Sequence, residues 1–234
     1  MQPIQMKVIA HIRNDFSQKF GIPRQSALVP QVVSKIVFTE EYRNADALRG
    51  LEGYSHLWLI WYFSAFDGDG WSPTVRPPRL GGNKRMGVFA TRSPNRPNPI
   101  GLSSVKIEKI LLSSPEGPIL FVSGADLLDG TPIFDIKPYL PYTDSHPEAA
   151  GGFAFKPGEG TVSVCCDEAL LTELEPDKKE ALLALLAQDP RPAYQEDPTR
   201  VYGFGFAGFE VKFTVAGDTL TVQEILPKQP EETV

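Results

Sequence analysis

HLWLIWYF, residues His56–Phe63, is apolar on both of the faces that an extended chain presents. A strand covered on one side alternates apolar with polar residues, whereas a strand covered on both sides does not. A short buried helix gives the same run, but the aromatic residues favour a strand, where they suit the pleated surface. Its unbroken apolar core, Leu57–Phe63, is seven residues long, far short of the roughly 20 needed to span a bilayer. The stretch is read as the central strand of a β-rich domain.

Working outward, Val32–Thr39 sets Val33, Lys35 and Val37 against Ser34, Ile36 and Phe38, the alternation of a half-buried strand. Met6–Ile12 reads as a first strand. Glu40–Leu51 is expected to form a short helix with Tyr42, Ala45, Leu48 and Leu51 on its apolar side, ended by Gly50 and Gly53. Downstream, Ser64–Gly87 is a long polar segment and Val88–Ala90 a short strand. Further strands are expected at Leu102–Leu112, at Ile119–Asp126 and near Phe134. DIKPYLPY, Asp135–Tyr142, holds two prolines and so is not expected to be an ordinary central strand. The 22 prolines and 20 glycines of the whole chain likewise disfavour long helices and suit short strands joined by structured turns.

The character of the sequence changes after Asp144. Ser145–Gly160 is rich in small and turn-forming residues and reads as a linker. Pro176–Gln188 gives the clearest helix, with a proline at its start and Leu182, Leu183, Leu185 and Leu186 on a broad apolar side. Phe209–Val215 and Thr219–Ile225 alternate around Ala216-Gly217-Asp218, a hairpin signal. The expectation is a mainly β domain over residues 1–150 and a small α+β domain over residues 161–234.

Several classes fall away. Cys165 and Cys166 are the only cysteines; adjacent thiols are a poor disulfide framework, so a reduced, cytoplasmic protein fits. The N-terminal residues lack the long apolar core of a secretion signal. His11, His56 and His146 have no ligand-like spacing, and no metal is expected. There is no P-loop and no G-x-S-x-G elbow, and GFGFAG at Gly203–Gly208 follows an aromatic stretch instead of opening a helix.

Charge is unevenly placed. Arg76–Lys109 contains Arg76, Arg79, Lys84, Arg85, Arg92, Arg96, Lys106 and Lys109 against the single acid Glu108, a formal +7 within a chain of net −6. A local basic field on an acidic protein suits an anionic ligand; pairing of these groups with acids from elsewhere in the chain would account for the same composition. At the centre of the field lies TRSPNRPNPIGLSS, Thr91–Ser104. Its arginines and asparagines offer directed donors, and its prolines lower the entropy cost of holding them. A rigid turn between strands explains the prolines equally well. Asp126, Asp129, Asp135, Lys137 and Tyr139 form a second polar group.

FATRSPNRPNPIGLSSVKI, DGTPIFDIKPYLPY, LEGYSHLWLIWYF and RVYGFGF together resemble the TsaA-like (TrmO) family of tRNA methyltransferases, over essentially the whole chain. The resemblance implies a compact single-sheet β-barrel core, S-adenosylmethionine as cofactor and a homodimer with the cofactor cleft near the subunit interface. It implies N6-methylation of the threonylcarbamoyl-modified adenosine 3′ of the anticodon in threonine tRNA. Carried over by residue, the cofactor-binding candidates are Arg92, Ser93, Asn95 and Arg96, joined by Asp126, Leu127 and Leu128. Asp135, Lys137 and Tyr139 are the catalytic candidates. Arg76, Arg85, Tyr142, Tyr194, Arg200 and Tyr202 are the candidates for contact with the tRNA anticodon loop. A non-catalytic RNA- or nucleotide-binding barrel, and a methyltransferase acting on a small molecule, are the alternatives; no membrane association is expected.

Overall fold

The computed structural model describes residues 4–66, 70–80, 82–154, 160–191, 195 and 197–228. Six antiparallel strands close into a barrel: β1 (Ala10–Arg13), β2 (Val33–Phe38), β3 (His56–Tyr62), β6 (Ile100–Leu111), β7 (Ile119–Ser123) and β8 (Pro132–Pro138). Their order round the barrel is β1-β2-β7-β6-β3-β8. A short hairpin of β4 (Thr74–Val75) and β5 (Met86–Gly87) stands apart as its own two-stranded sheet. Closure gives each barrel strand two neighbours and so limits its exposed edges. Leu57, Leu59 and Trp61 point inward from β3 and pack with Ile12, Ile36, Val105, Leu120, Val122 and Ile133.

The chain then forms a one-turn helix α1 (Pro141–Asp144), strand β9 (Ser163–Cys165) and helix α2 (Pro176–Ala187). β10 (Tyr202–Phe206), β11 (Phe209–Ala216) and β12 (Thr219–Pro227) follow in a sheet of order β10-β11-β12-β9, with β9 parallel to β12. Ala181, Leu182, Leu185 and Leu186 on α2 face this sheet and form a second core with Phe204, Phe206, Phe213 and Val215. Phe16, Val29 and Val32, from the segment between β1 and β2, are buried in that same core. Residues 145–154 carry no helix or strand and are almost entirely exposed.

Two local expectations are corrected. Glu40–Leu51 is not one helix but successive 3₁₀ turns, Glu40–Tyr42, Ala45–Leu48 and Leu51–Gly53. The Asn44 side chain accepts from Asp46 N at 3.0 Å, and this local bond restarts the chain where a helix would need to continue. Val88–Ala90 is a 3₁₀ turn, not a strand. It is closed by the Thr91 backbone amide and hydroxyl, which donate to the Val88 carbonyl at 3.1 and 2.8 Å.

The proline-bearing segment enters the barrel in a restricted way. β8 pairs with β1 only through Pro132 and Ile133, and from Asp135 to Pro138 its partner is β3 alone. The register slips where Ile60 opposes Asp135 while Trp61 opposes Ile133, so Phe134 is an extra residue. This bulge lets Ile133 and Ile136 both face the core while Asp135 and Lys137 face outward, opposite Ile60 and Trp58.

Candidate active site

At the end of β3, Trp61 Nε1 donates to Ser103 Oγ at 3.0 Å, and Ser103 Oγ donates to Asp126 Oδ1 at 2.5 Å. Ser103 reaches this point because Gly101, Ser103 and Val105 are the inward positions of β6. Gly101 sits directly opposite Trp61, where a Cβ would fall inside the indole ring. Small inward residues therefore make room for one large aromatic, and the hydroxyl is held at its rim.

Asp126 follows β7 in a turn fastened to the segment before β2. Ala27 N donates to Gly124 O at 2.8 Å, and a Cβ on Gly124 would come within 3.0 Å of Ala27 Cα. The Ser26 backbone lies near the Asp126 carboxyl and helps to hold its pKa down. Burial pushes the Asp126 carboxyl above its ordinary range; the Ser103 hydroxyl and the Arg92 guanidinium oppose that rise without cancelling it. Arg92 Nη1 in turn donates to the Gln25 side-chain oxygen at 2.5 Å. The arrangement is an exposed guanidinium near a half-buried carboxylate, without a direct ion pair between them, and it has the chemistry to meet a ligand that carries both signs of charge.

The rest of the basic loop braces itself. Arg96 Nη1 donates to the carbonyls of Val88 (3.2 Å) and Thr91 (2.7 Å), and its guanidinium lies 5.7 Å from the Phe89 ring centre. Ser93 Oγ accepts from Asn95 N and Nδ2 at 3.3 and 3.2 Å. Arg92 is thus the loop's outward charge, while Ser93, Asn95 and Arg96 shape the loop that presents it. Leu127 and Leu128 lie next to Asp126, but the Leu127 carbonyl accepts from Asn14 Nδ2 and the Leu128 carbonyl from Thr131 Oγ1.

Asp135, Lys137 and Tyr139 stand elsewhere in the single chain. Asp135 Oδ2 meets Lys137 Nζ at 3.1 Å on the outer face of β8, and Asp135 Oδ1 accepts from Ile136 N. The Tyr139 ring centre is 5.5 Å from that of Trp58, whose Nε1 donates to Asp144 Oδ2 at 2.8 Å. Asp144 Oδ2 also accepts from Leu140 N, and these two donors hold the Asp144 carboxyl below its usual range. Tyr139 is near the His56 end of β3, whereas Trp61 and Asp126 mark the other end.

Arg76 and Arg85 are exposed around the β4–β5 hairpin, and Arg85 Nη1 donates to Thr74 Oγ1. Among the described residues, Arg76, Lys84, Arg85, Arg92 and Arg96 have no carboxylate within 4.0 Å, whereas Lys106 pairs with Glu108. Trp71 and Phe89 in the same region are 54% and 73% exposed. Tyr142 is exposed on α1, and Arg200 is exposed with its guanidinium 5.4 Å from the Tyr202 ring centre. Tyr202 itself is buried, stacked on Phe213; its ring is spent on the core and offers no face to a base. Tyr194 lies outside the described residues.

Gln25, Ser26, Ser103 and Trp61 were not singled out from the sequence. The only signal for Ser103 was a serine at an inward position of an alternating strand; Gln25 and Ser26 sit in a segment without periodicity.

A closed antiparallel barrel with a self-braced basic loop beside a half-buried carboxylate defines a ligand-binding β-barrel protein with an appended α+β unit. The family model described as "tRNA-methyltransferase O N-terminal domain" matches residues 11–145, and that of the "TrmO C-terminal domain" matches residues 164–228. The chain belongs to the TrmO family. It is 42% identical over 236 residues to the tRNA (adenine(37)-N6)-methyltransferase of Escherichia coli (strain K12), covering 97% of this chain and 100% of that one. An Eikenella corrodens protein of the same name is 47% identical over 74% of this chain and 97% of its own length. A crystal structure of TrmO from Pseudomonas aeruginosa superposes with a TM-score of 0.75 at 32% identity, covering 96% of this chain and 99% of that one.

Proposed function

We propose that the chain methylates N6 of the threonylcarbamoyl-modified adenosine 3′ of the anticodon in threonine tRNA, using S-adenosylmethionine. The observation that carries this reading is the Arg92–Asp126 juxtaposition. A guanidinium suits the cofactor's carboxylate, and a carboxylate suits its amine or ribose hydroxyls, so the residues present fit a zwitterionic cofactor. When bound, that cofactor supplies an electrophilic methyl group.

N6 of adenine is a weak nucleophile because its lone pair is delocalised into the ring, so alignment is the main task left to the protein. Arg92 and Asp126 hold the cofactor end. Asp135 and Lys137, with Tyr139 further along the strand, are proposed to receive the tRNA side: Asp135 orients the N6 hydrogens and Lys137 meets the carboxylate of the threonylcarbamoyl group. The target base lies in a single-stranded loop, which lowers the cost of displacing it. Arg76, Lys84 and Arg85, which have no carboxylate partner among the described residues, and exposed Trp71 and Phe89 offer charge for phosphates and faces for bases. Tyr142 and Arg200, both exposed, are further proposed tRNA contacts, and the unit over residues 161–234 is taken as tRNA-facing.

Asp135 and Lys137 face outward opposite Ile60 and Trp58, and Tyr139 lies by His56, whereas Ser103 meets Trp61 on the inward side; this separation favours a homodimer in which a second chain completes the cleft. Tyr62 and Leu102, 38% and 53% exposed on the outer face of the barrel, are the proposed contact. The tRNA-modifying role supports a cytoplasmic location. Among the described residues no helix is long and apolar enough to cross a membrane. The test is incubation of labelled cofactor with threonylcarbamoylated tRNA beside the same tRNA lacking that group, followed by nucleoside analysis. Label on the modified adenosine alone supports the reading. Label consumed without tRNA favours a small-molecule methyltransferase, and tRNA binding without any transfer favours a non-catalytic RNA-binding barrel.

A further inference from the structure

The segment Asn14–Val32 belongs to both halves of the molecule. Its first part is embedded in the C-terminal half: Phe16 is 1% exposed beside Phe206, with ring centres 6.1 Å apart, and the Phe20 edge meets Phe204 at 6.3 Å. Gly21 passes so close to the Phe204 ring that a Cβ would clash with it. Asp15 Oδ2 pairs with Lys178 Nζ of α2 at 2.5 Å, with both side chains mostly buried. Arg24 Nη2 donates to the carbonyls of Asp189 (2.8 Å) and Arg191 (2.9 Å), just beyond α2. At the far end, Val29 and Val32 return to the same C-terminal core.

Between these anchors, Gln25, Ser26 and Ala27 touch the candidate cofactor site and nothing of the C-terminal sheet is needed to describe that contact. Gln25 accepts from Arg92 and Ala27 N donates to Gly124 O, while the Ser26 backbone between them lies near the Asp126 carboxyl. Ala27 adopts a φ of 65°, a left-handed conformation that a non-glycine residue keeps only where its surroundings enforce it.

We infer that Asn14–Val32 is a positioning strap through which the C-terminal half sets the geometry of the Arg92–Asp126 site, with Lys178 and Arg24 as positioning residues that never touch the ligand. The inference rests on reading that site as the cofactor site. It assigns the C-terminal half a role in cofactor affinity, separate from any contact it makes with tRNA. The physical reason is that a strap fixed at both ends loses little further freedom when a ligand binds against its middle.

The test compares Lys178→Ala and Arg24→Ala with the unmodified full-length chain, measuring S-adenosylmethionine binding by calorimetry and amide exchange over residues 14–32. Lys178 is not one of the C-terminal core residues, so Lys178→Ala leaves the apolar packing of that core unchanged. Each variant is expected to weaken cofactor binding by about threefold to tenfold and to speed exchange at Ala27. Arg24→Lys, whose ammonium can still reach both carbonyls, should recover most of the loss. Unchanged affinity in both alanine variants, with the unmodified chain binding normally, overturns the strap. Absence of binding by the unmodified chain instead overturns the cofactor reading on which the strap rests.

Discussion

Trp61 Nε1 donates to Ser103 Oγ, and this settles where the hydroxyl proton of Ser103 goes. An oxygen that accepts from the indole has its one hydrogen left for Asp126 Oδ1, 2.5 Å away. Ser103→Ala removes both bonds at once. The buried indole N–H loses its acceptor, at a cost of about 1–3 kcal/mol, and the Asp126 carboxyl rises further because its principal opposing influence is gone. Denaturant unfolding at neutral pH reads the first effect; an unchanged midpoint would mean that the chain of donors does not operate.

Asp126→Asn should separate stability from function. The folded-state carboxyl is raised above its ordinary value of 3.8, chiefly by burial. The folded protein therefore binds that proton more tightly than the unfolded chain, and stability falls as pH climbs through the window above 3.8. The penalty grows as the pH rises toward and past the raised folded-state value, so the asparagine variant should melt higher than the parent at neutral pH, and the gain should vanish below pH 3.8. Cofactor affinity should drop at least about tenfold. A variant that melts lower at neutral pH, or gains equally at all pH values, contradicts this assignment.

The two arginines of the basic loop predict opposite profiles. Arg92→Ala removes an exposed charge and should weaken cofactor binding at least about tenfold with little change in melting temperature. Arg96→Ala strips the Val88 and Thr91 carbonyls of a charged donor and should cost about 1–2 kcal/mol of stability. Calorimetric binding and thermal melts on the pair decide the matter; identical behaviour of the two variants would refute the division of labour.

Gly101→Ala probes the fit around Trp61. A methyl group there overlaps the indole, and such overpacking costs about 1–3 kcal/mol. Because the indole carries the bond to Ser103, the same change should alter tryptophan fluorescence and reduce cofactor affinity. Parental stability would show that the ring is free to move aside.

What the sequence disclosed follows from how far each signal travels along the chain. His56–Phe63, Val32–Thr39 and the hairpin around Gly217 depend on alternation within a few residues, and each matches a strand. Glu40–Leu51 misled because its apolar spacing outlived the helix: the Asn44 cap interrupts a pattern that composition alone continues. Arg92 stood out through the charge asymmetry of its neighbourhood. Its hydrogen-bond partner Gln25 could not, since the two are 67 residues apart and meet only once the barrel has closed and the C-terminal core has fixed the intervening segment.

The extra residue at Phe134 gives β8 slack at one point. Side chains alternate along a regular strand, so two residues turned to the core normally have one residue between them; Ile133 and Ile136 have two. Removing Phe134 would leave Ile133 opposite Trp61 and Asp135 opposite Ile60, the alternation of an unbroken ladder, with Asp135 and Lys137 still outside. Removing Ile136 instead would put Lys137 in its inward place opposite Leu59. The frame in which DIKPY is displayed therefore has one position that can be lost, and this strand should tolerate deletion of Phe134 far better than deletion of Ile136.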